Sequence, residues 1–179
     1  FVIDSQGLGW NYIESSVSTV IVKGKEPNHI KLMYEPALKK VITRIRNKDG
    51  ILLTDEKIEF KQVGQKYSIK FDDDLYDYEC KEWSLSETIS SEITVDIDEN
   101  KNVFEAIYAP KLAKVAIKFL TLDGREIKPS AIQEAQIGAR YNSAENTEIV
   151  DNFGKVWKCK ELGQAILVTD KEHENIVNL

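Results

Sequence analysis

QVGQKY, residues 62–67, returns as QIGARY at 136–141, seventy-four positions later. Working outward, PALKKVITRIRNKDG at 36–50 matches PKLAKVAIKFLTLDG at 110–124, with Pro36/Pro110, Leu38/Leu112, Val41/Val115, Asp49/Asp123, Gly50/Gly124, Gly64/Gly138 and Tyr67/Tyr141 sharing one offset, and Tyr34/Tyr108 upstream. So many coincidences at one spacing imply duplication. Val41, Thr43 and Ile45, like Val115, Ile117 and Phe119, lie on one side of an alternating pattern, the period of a half-buried strand. A DG pair follows each run, and its glycine supplies the positive φ of a tight hairpin. Each module therefore opens with a hairpin.

Beyond Tyr67 and Tyr141 two registers compete. An offset of seventy-four pairs Trp83 with Trp157; an offset of seventy-nine pairs YECKE (78–82) with WKCKE (157–161), and both with WNYIE (10–14). The second register is taken, and the tryptophan match is then a coincidence. It makes Glu14–Asn28 and Glu161–Asn175 equal spacings of fourteen against twenty for Glu82–Asn102, so the middle module gains an insertion of about six residues. Closing strands follow: NHIKLMY, NVFEAIY and NIVNL place Ile30, Leu32 and Tyr34 beside Phe104, Ala106 and Tyr108, and beside Val177 and Leu179. The chain then comprises the second half of a repeat (1–36), a complete module (37–110) and a nearly complete one (111–179), joined by EPALK and APKLA. Segment 1–36 should form strands that pack on the next module or another chain, because an isolated hairpin is marginal in water.

The chain has 179 residues, 42% of them apolar, and a net charge of −6. That apolar fraction suffices for a core, while the acidic balance and the lack of a basic cluster interleaved with aromatics disfavour nucleic acid and anionic membranes. No apolar run reaches membrane-span length, so no membrane insertion is expected of this fragment. It begins with Phe and reads as a soluble piece of something longer.

A strand ending in a DG turn, a G-x-x-Y, an aromatic strand of the GKVWKCKE kind and a closing strand ending in Tyr (FEAIY, IKLMY) together resemble the MucBP (mucin-binding protein) repeat of Gram-positive bacterial surface proteins. The resemblance covers nearly the whole chain through short motifs. It departs where the family's Gly-Tyr before the aromatic strand stands here as Gly9-Trp10, Asp77-Tyr78 and GKVW. It implies a mainly β fold, an elongated tandem array of small β-grasp-like (ubiquitin-like, helix-poor) modules. It further implies a non-enzymatic, wall-anchored adhesin at the cell surface, its partners being mucin or host glycoprotein glycans and flanking repeats of the same protein. A structural stalk of similar repeats is the alternative.

Chemistry-bearing residues are sparse. His29 and His173 fall on solvent-facing or turn positions, and a nucleophile site needs a histidine oriented by a third group. Two histidines with Cys80 and Cys159 lack zinc spacing. DIDENKN (96–102) starts like a calcium loop but has Lys101 at the sixth position and Ile107 at the twelfth, so it is read as a turn. Asp72, Asp73, Asp74 and Asp77 read as a solvated acidic run. No catalytic residue, metal or cofactor is assigned. Cys80 and Cys159, equivalent in the chosen register to Tyr12, are expected to be buried small hydrophobes.

Features peculiar to one module are the place to look for function. Trp83 has the opposite parity to Tyr78 and Cys80, and its counterparts are Ser15 and Leu162, so it is expected on the outer face beside WSLSETISSE (83–92). With Ser84, Ser86 and Glu87 it would form a sugar-stacking platform. The other reading has Trp83 covering a junction between modules. Tyr76 is expected inside.

Overall fold

The computed structural model describes residues 1–15, 29–142, 148–159 and 165–179. The fold is mainly β: among the described residues the helical pieces are two 3-10 turns, Glu99–Lys101 and Glu172–Glu174. By contacts the chain divides into two compact units, Phe1–Phe71 with Glu87–Ile107, and Asp72–Ser86 with Tyr108–Leu179. Segment Asp72–Ser86, which the sequence places inside module 37–110, thus belongs to the second unit.

In the first unit Leu38–Asn47 pairs antiparallel with Lys57–Gln62, and the turn between them is set by Asn47. Its Oδ1 accepts the amides of Asp49 and Ile51 (both 2.9 Å), and Gly50 takes φ +84°. The hairpin inferred from the DG signal is present, and its glycine holds the left-handed position. Val41, Phe104 and Ala106 are buried as the alternation predicts, Thr43 and Ile45 are half-buried, and Ala37, Val63, Phe71 and Val95 are buried as well.

The second unit repeats this plan. Leu112–Leu120 pairs antiparallel with Glu126–Gln136 and parallel with Ile176–Asn178, while Gly124 has φ +82°. Ala113, Val115, Ile137, Val168 and Val177 form the core, with Tyr141, Ile166 and Leu179 packed against it. The same backbone bond leads into the closing strand in both units: Ile42 N–H donates to the Asn102 carbonyl, and Ala116 N–H to that of Asn175 (2.9 Å each).

Both asparagines are fully buried. Asn102 Oδ1 accepts the Asp96 amide (2.7 Å) and its Nδ2 donates to the Asp96 carbonyl (2.9 Å); Asn175 makes the same pair with Thr169 (2.9 and 2.8 Å). Burying an amide is tolerable because each asparagine is satisfied this way. The carboxylates of DIDENKN serve that turn too: Asp96 Oδ1 accepts the Asp98 amide and Asp98 Oδ1 the Asn100 amide. Asn28, the third member of the series, lies outside the described residues, as do Glu161 and Leu162.

The described residues of segment 1–36 include the expected strands, Gly9–Ser15 pairing with Val2–Ile3 and with Leu32–Pro36. Tyr12, Ile30 and Leu32 are nevertheless exposed, not inward.

Candidate functional site

Three stretches share one turn: DSQGLGW (4–10), DYECKEW (77–83) and DNFGKVW (151–157). In each, one oxygen of the aspartate accepts two amides, two and four residues on. For Asp4 these are Gln6 and Leu8, for Asp77 Glu79 and Lys81, and for Asp151 Phe153 and Lys155, all at 2.9–3.0 Å. The other oxygen accepts the indole N–H of the tryptophan six residues on, at 2.8, 2.8 and 2.9 Å. The fourth residue closes the turn with a left-handed backbone: Gly7 (φ +84°), Cys80 (φ +62°) and Gly154 (φ +79°). This is a side-chain-capped turn with a bulge, and it normally demands glycine at the bulge.

The tryptophan match at an offset of seventy-four is therefore structural equivalence, and the register of seventy-nine is corrected. The Trp-to-Asn spacings are then eighteen, nineteen and eighteen (Trp10–Asn28, Trp83–Asn102, Trp157–Asn175), so the inserted loop shrinks to a single residue. WSLSETISSE is mostly strand, Glu82–Ser90 followed by Glu92–Thr94. Cys80 corresponds to Gly7 and Gly154 rather than to Cys159, and it is exposed on the turn instead of buried. Strand parity cannot be carried from Tyr76 to Trp83 because the bulge at Cys80 resets it. Tyr76, expected inside, is exposed, and Trp83, expected outside, is only 8% exposed. Trp83 therefore does not present the exposed indole that a sugar platform would use. Ser84 donates to Asp74 Oδ1 (2.5 Å), while Ser86 and Glu87 are exposed.

The residue before each of the first two tryptophans holds the hairpin to the module that follows in sequence. Gly9 N–H donates to the Val63 carbonyl (2.8 Å), Val63 N–H to Ala37 (2.9 Å) and Ala37 N–H to Gly9 (3.0 Å). Glu82, Ile137 and Lys111 close the same ring at 2.9, 2.9 and 3.0 Å. The glutamine of each Q-x-G motif adds its amide, Gln62 Nε2 to the Gly9 carbonyl (2.9 Å) and Gln136 Nε2 to that of Glu82 (3.0 Å). The glycine lets the turn settle: a Cβ on Gly64 would stand 1.9 Å from the Gly7 oxygen, and one on Gly138 2.2 Å from the Cys80 oxygen. The tyrosine bonds back to the strand that leads into the motif, Tyr67 Oη donating to Glu59 Oε2 (3.1 Å) and Tyr141 Oη to Gln133 Oε1. Q-x-G-x-x-Y is repeated because it is the seat on which the preceding D-x5-W hairpin docks.

Charge reinforces the second joint. Lys111 Nζ reaches Glu82 Oε1 (2.8 Å) and Asp74 Oδ2 (2.9 Å), and Glu82 is buried. The bond to Glu82, then that to Asp74, pushes the Lys111 ammonium above its ordinary range. A cleft of about 400 Å³ beside this joint is lined by Glu79, Cys80, Lys81, Gly138, Arg140 and Leu167. His29 and His173 are both exposed. Among the described residues no helix is long and apolar enough to cross a membrane.

No family model and no curated protein matches the chain.

Proposed function

We propose that the chain is part of a tandem array of β-grasp-like repeats that acts as a non-enzymatic spacer in a surface protein of Gram-positive type, holding another domain away from the cell wall. The observation that carries this is the pair of three-way backbone rings at Gly9/Ala37/Val63 and Glu82/Lys111/Ile137, in which one repeat's hairpin is built into the next. Each hairpin is fixed on its seat by backbone bonds and by a glycine under the turn, as neighbouring elements are in other repeat arrays. The parallel pairing of Leu112–Leu120 with Ile176–Asn178 supports the β-grasp assignment. Small-angle scattering on chains with one or two added repeats tests the spacer: each repeat should lengthen the particle by a constant step, and a particle that merely thickens would refute it.

A second function, adhesion to mucin-type or host glycoprotein glycans, is favoured by the exposure of both Tyr76 and Tyr78 on the middle hairpin. A glycan array decides between the two. Binding that Tyr76→Ala weakens while stability is retained supports adhesion, and an array with no signal leaves the spacer.

A further inference from the structure

The third hairpin has the same construction as the first two, yet among the described residues its outer edge has no seat. Asp151, Gly154 and Trp157 reproduce the capped turn, and Glu148↔Lys158, Ile149↔Trp157 and Val150↔Val156 pair as Asp74↔Ser84, Leu75↔Trp83 and Tyr76↔Glu82 do. Val156 therefore occupies the place of Gly9 and Glu82. Asp151 N–H donates to the Lys155 carbonyl (2.9 Å), so antiparallel alternation makes Val150/Val156 a non-hydrogen-bonded pair, with both backbone groups of Val156 turned away from the hairpin. In the other copies those two groups enter the three-way ring.

The side chains agree with an uncovered joint. Val156 is 56% exposed, and Phe153, which stands where Glu79 lines the cleft beside Leu167, is 95% exposed. An apolar residue at that turn position is suited to a cleft with an aliphatic wall.

We infer that the Glu148–Lys158 hairpin is a docking element for one more repeat of this same kind. The occupant is a module with a proline joint leading into its first strand and a Q-x-G-x-x-Y seat behind it. Val156 N–H would donate to the residue before the seat glycine, the Val156 carbonyl would accept from the residue after the joint proline and from the seat glutamine, and Phe153 would enter the cleft. Two occupied copies in one chain identify the occupant. A second copy of this chain is disfavoured, because both of its seats, at Gly64 and at Gly138, already hold its own hairpins. The inference rests on docking geometry alone and stands whether the array is spacer or adhesin.

The test appends a second copy of Met33–Tyr141 after Leu179 and follows amide hydrogen exchange at single residues. The Val156 amide should exchange at least about 100-fold more slowly in the extended chain than in the original, approaching that of Glu82. Replacing the seat glycine of the appended copy with alanine should reverse the gain. Unchanged exchange at Val156 beside a folded appended copy, shown by protection in its own first strand, would overturn the inference. So would protection at Val156 equal to that of Glu82 in the original chain.

If the appended copy does not fold, Gly9→Pro in the original chain removes the amide that donates to Val63 and so opens a seat. That variant should form head-to-tail oligomers in sedimentation, and adding Val156→Pro should return it to monomer. Oligomers that survive Val156→Pro, or none at all, would count against the proposal.

Discussion

Gly138 lies so close beneath Cys80 that a methyl group on its α-carbon would stand 2.2 Å from the Cys80 carbonyl oxygen. Gly64 has the same relationship to Gly7, at 1.9 Å. Gly124 shares the positive φ but has nothing within 4 Å of its would-be Cβ. Gly124→Ala should thus cost about 1–2 kcal/mol, the ordinary penalty of a left-handed alanine. Gly138→Ala should cost about 3 kcal/mol or more, since the turn must lift and break the ring beneath it. Chemical denaturation of the two variants checks this, and equal losses would mean that the close approach carries no weight.

Trp83→Ala should destabilise the protein by about 3–5 kcal/mol, the scale for deleting a buried aromatic, because the indole is packed and bonded to Asp77. Asp77→Ala should follow it in the same direction, leaving the indole N–H and the amides of Glu79 and Lys81 without their acceptor. Paired melting and glycan-binding measurements on Trp83→Ala separate this from the platform role: binding lost with the melting temperature unchanged would restore that role.

Cys80→Gly is expected to stabilise. The cysteine occupies φ +62° where both sister turns carry glycine. Relief of that strain, about 1–2 kcal/mol, is partly offset by about 0.4–1 kcal/mol of added freedom in the unfolded chain. A net gain of up to about 1.5 kcal/mol should appear in urea denaturation, and a loss would show that the thiol makes a contact worth more than the strain.

Acid should weaken the turns together. The Leu8 amide and then the Trp10 indole hold Asp4 below its ordinary value of 3.8; the Trp157 indole and then the Lys155 amide do so for Asp151. At Asp77 burial pushes upward but is outweighed by the Trp83 indole and the amides of Lys81 and Glu79. A carboxylate with a depressed folded pKa contributes stability that is complete above its unfolded value and fades as pH falls through the folded one. Unfolding free energy should therefore drop below about pH 4, and Asp77→Asn should flatten that slope. A slope identical in the variant would remove Asp77 from the account.

Much of the fold is legible in the sequence because alternation in VITRIR and VAIKF, followed by a DG pair, can be satisfied by little except a hairpin. The inward faces of Phe104, Ala106, Tyr108 and Val177 follow from the same period. The register fails at one residue: Cys80, standing where glycine belongs, conceals the middle D-x-x-G-x-x-W turn, and strand parity is then extended across a bulge that resets it. The signal that finds the turn is the recurrence of aspartate and tryptophan six residues apart, at Asp4/Trp10, Asp77/Trp83 and Asp151/Trp157. The docking itself is hidden for a different reason. Rings such as Gly9/Ala37/Val63 use only backbone groups, which leave no mark on side-chain identity except the glycine that lets the turn approach.

Native-state hydrogen exchange of the unmodified chain tests the central claim, that each hairpin is a structural part of the module after it. The amides of Glu82, Lys111 and Ile137 donate around one ring, so all three should exchange slowly and with a single opening free energy. Gly138→Ala should release them together. A Glu82 amide that exchanges as fast as that of Val156 while Lys111 and Ile137 stay protected would show the hairpin undocked in solution and contradict the account.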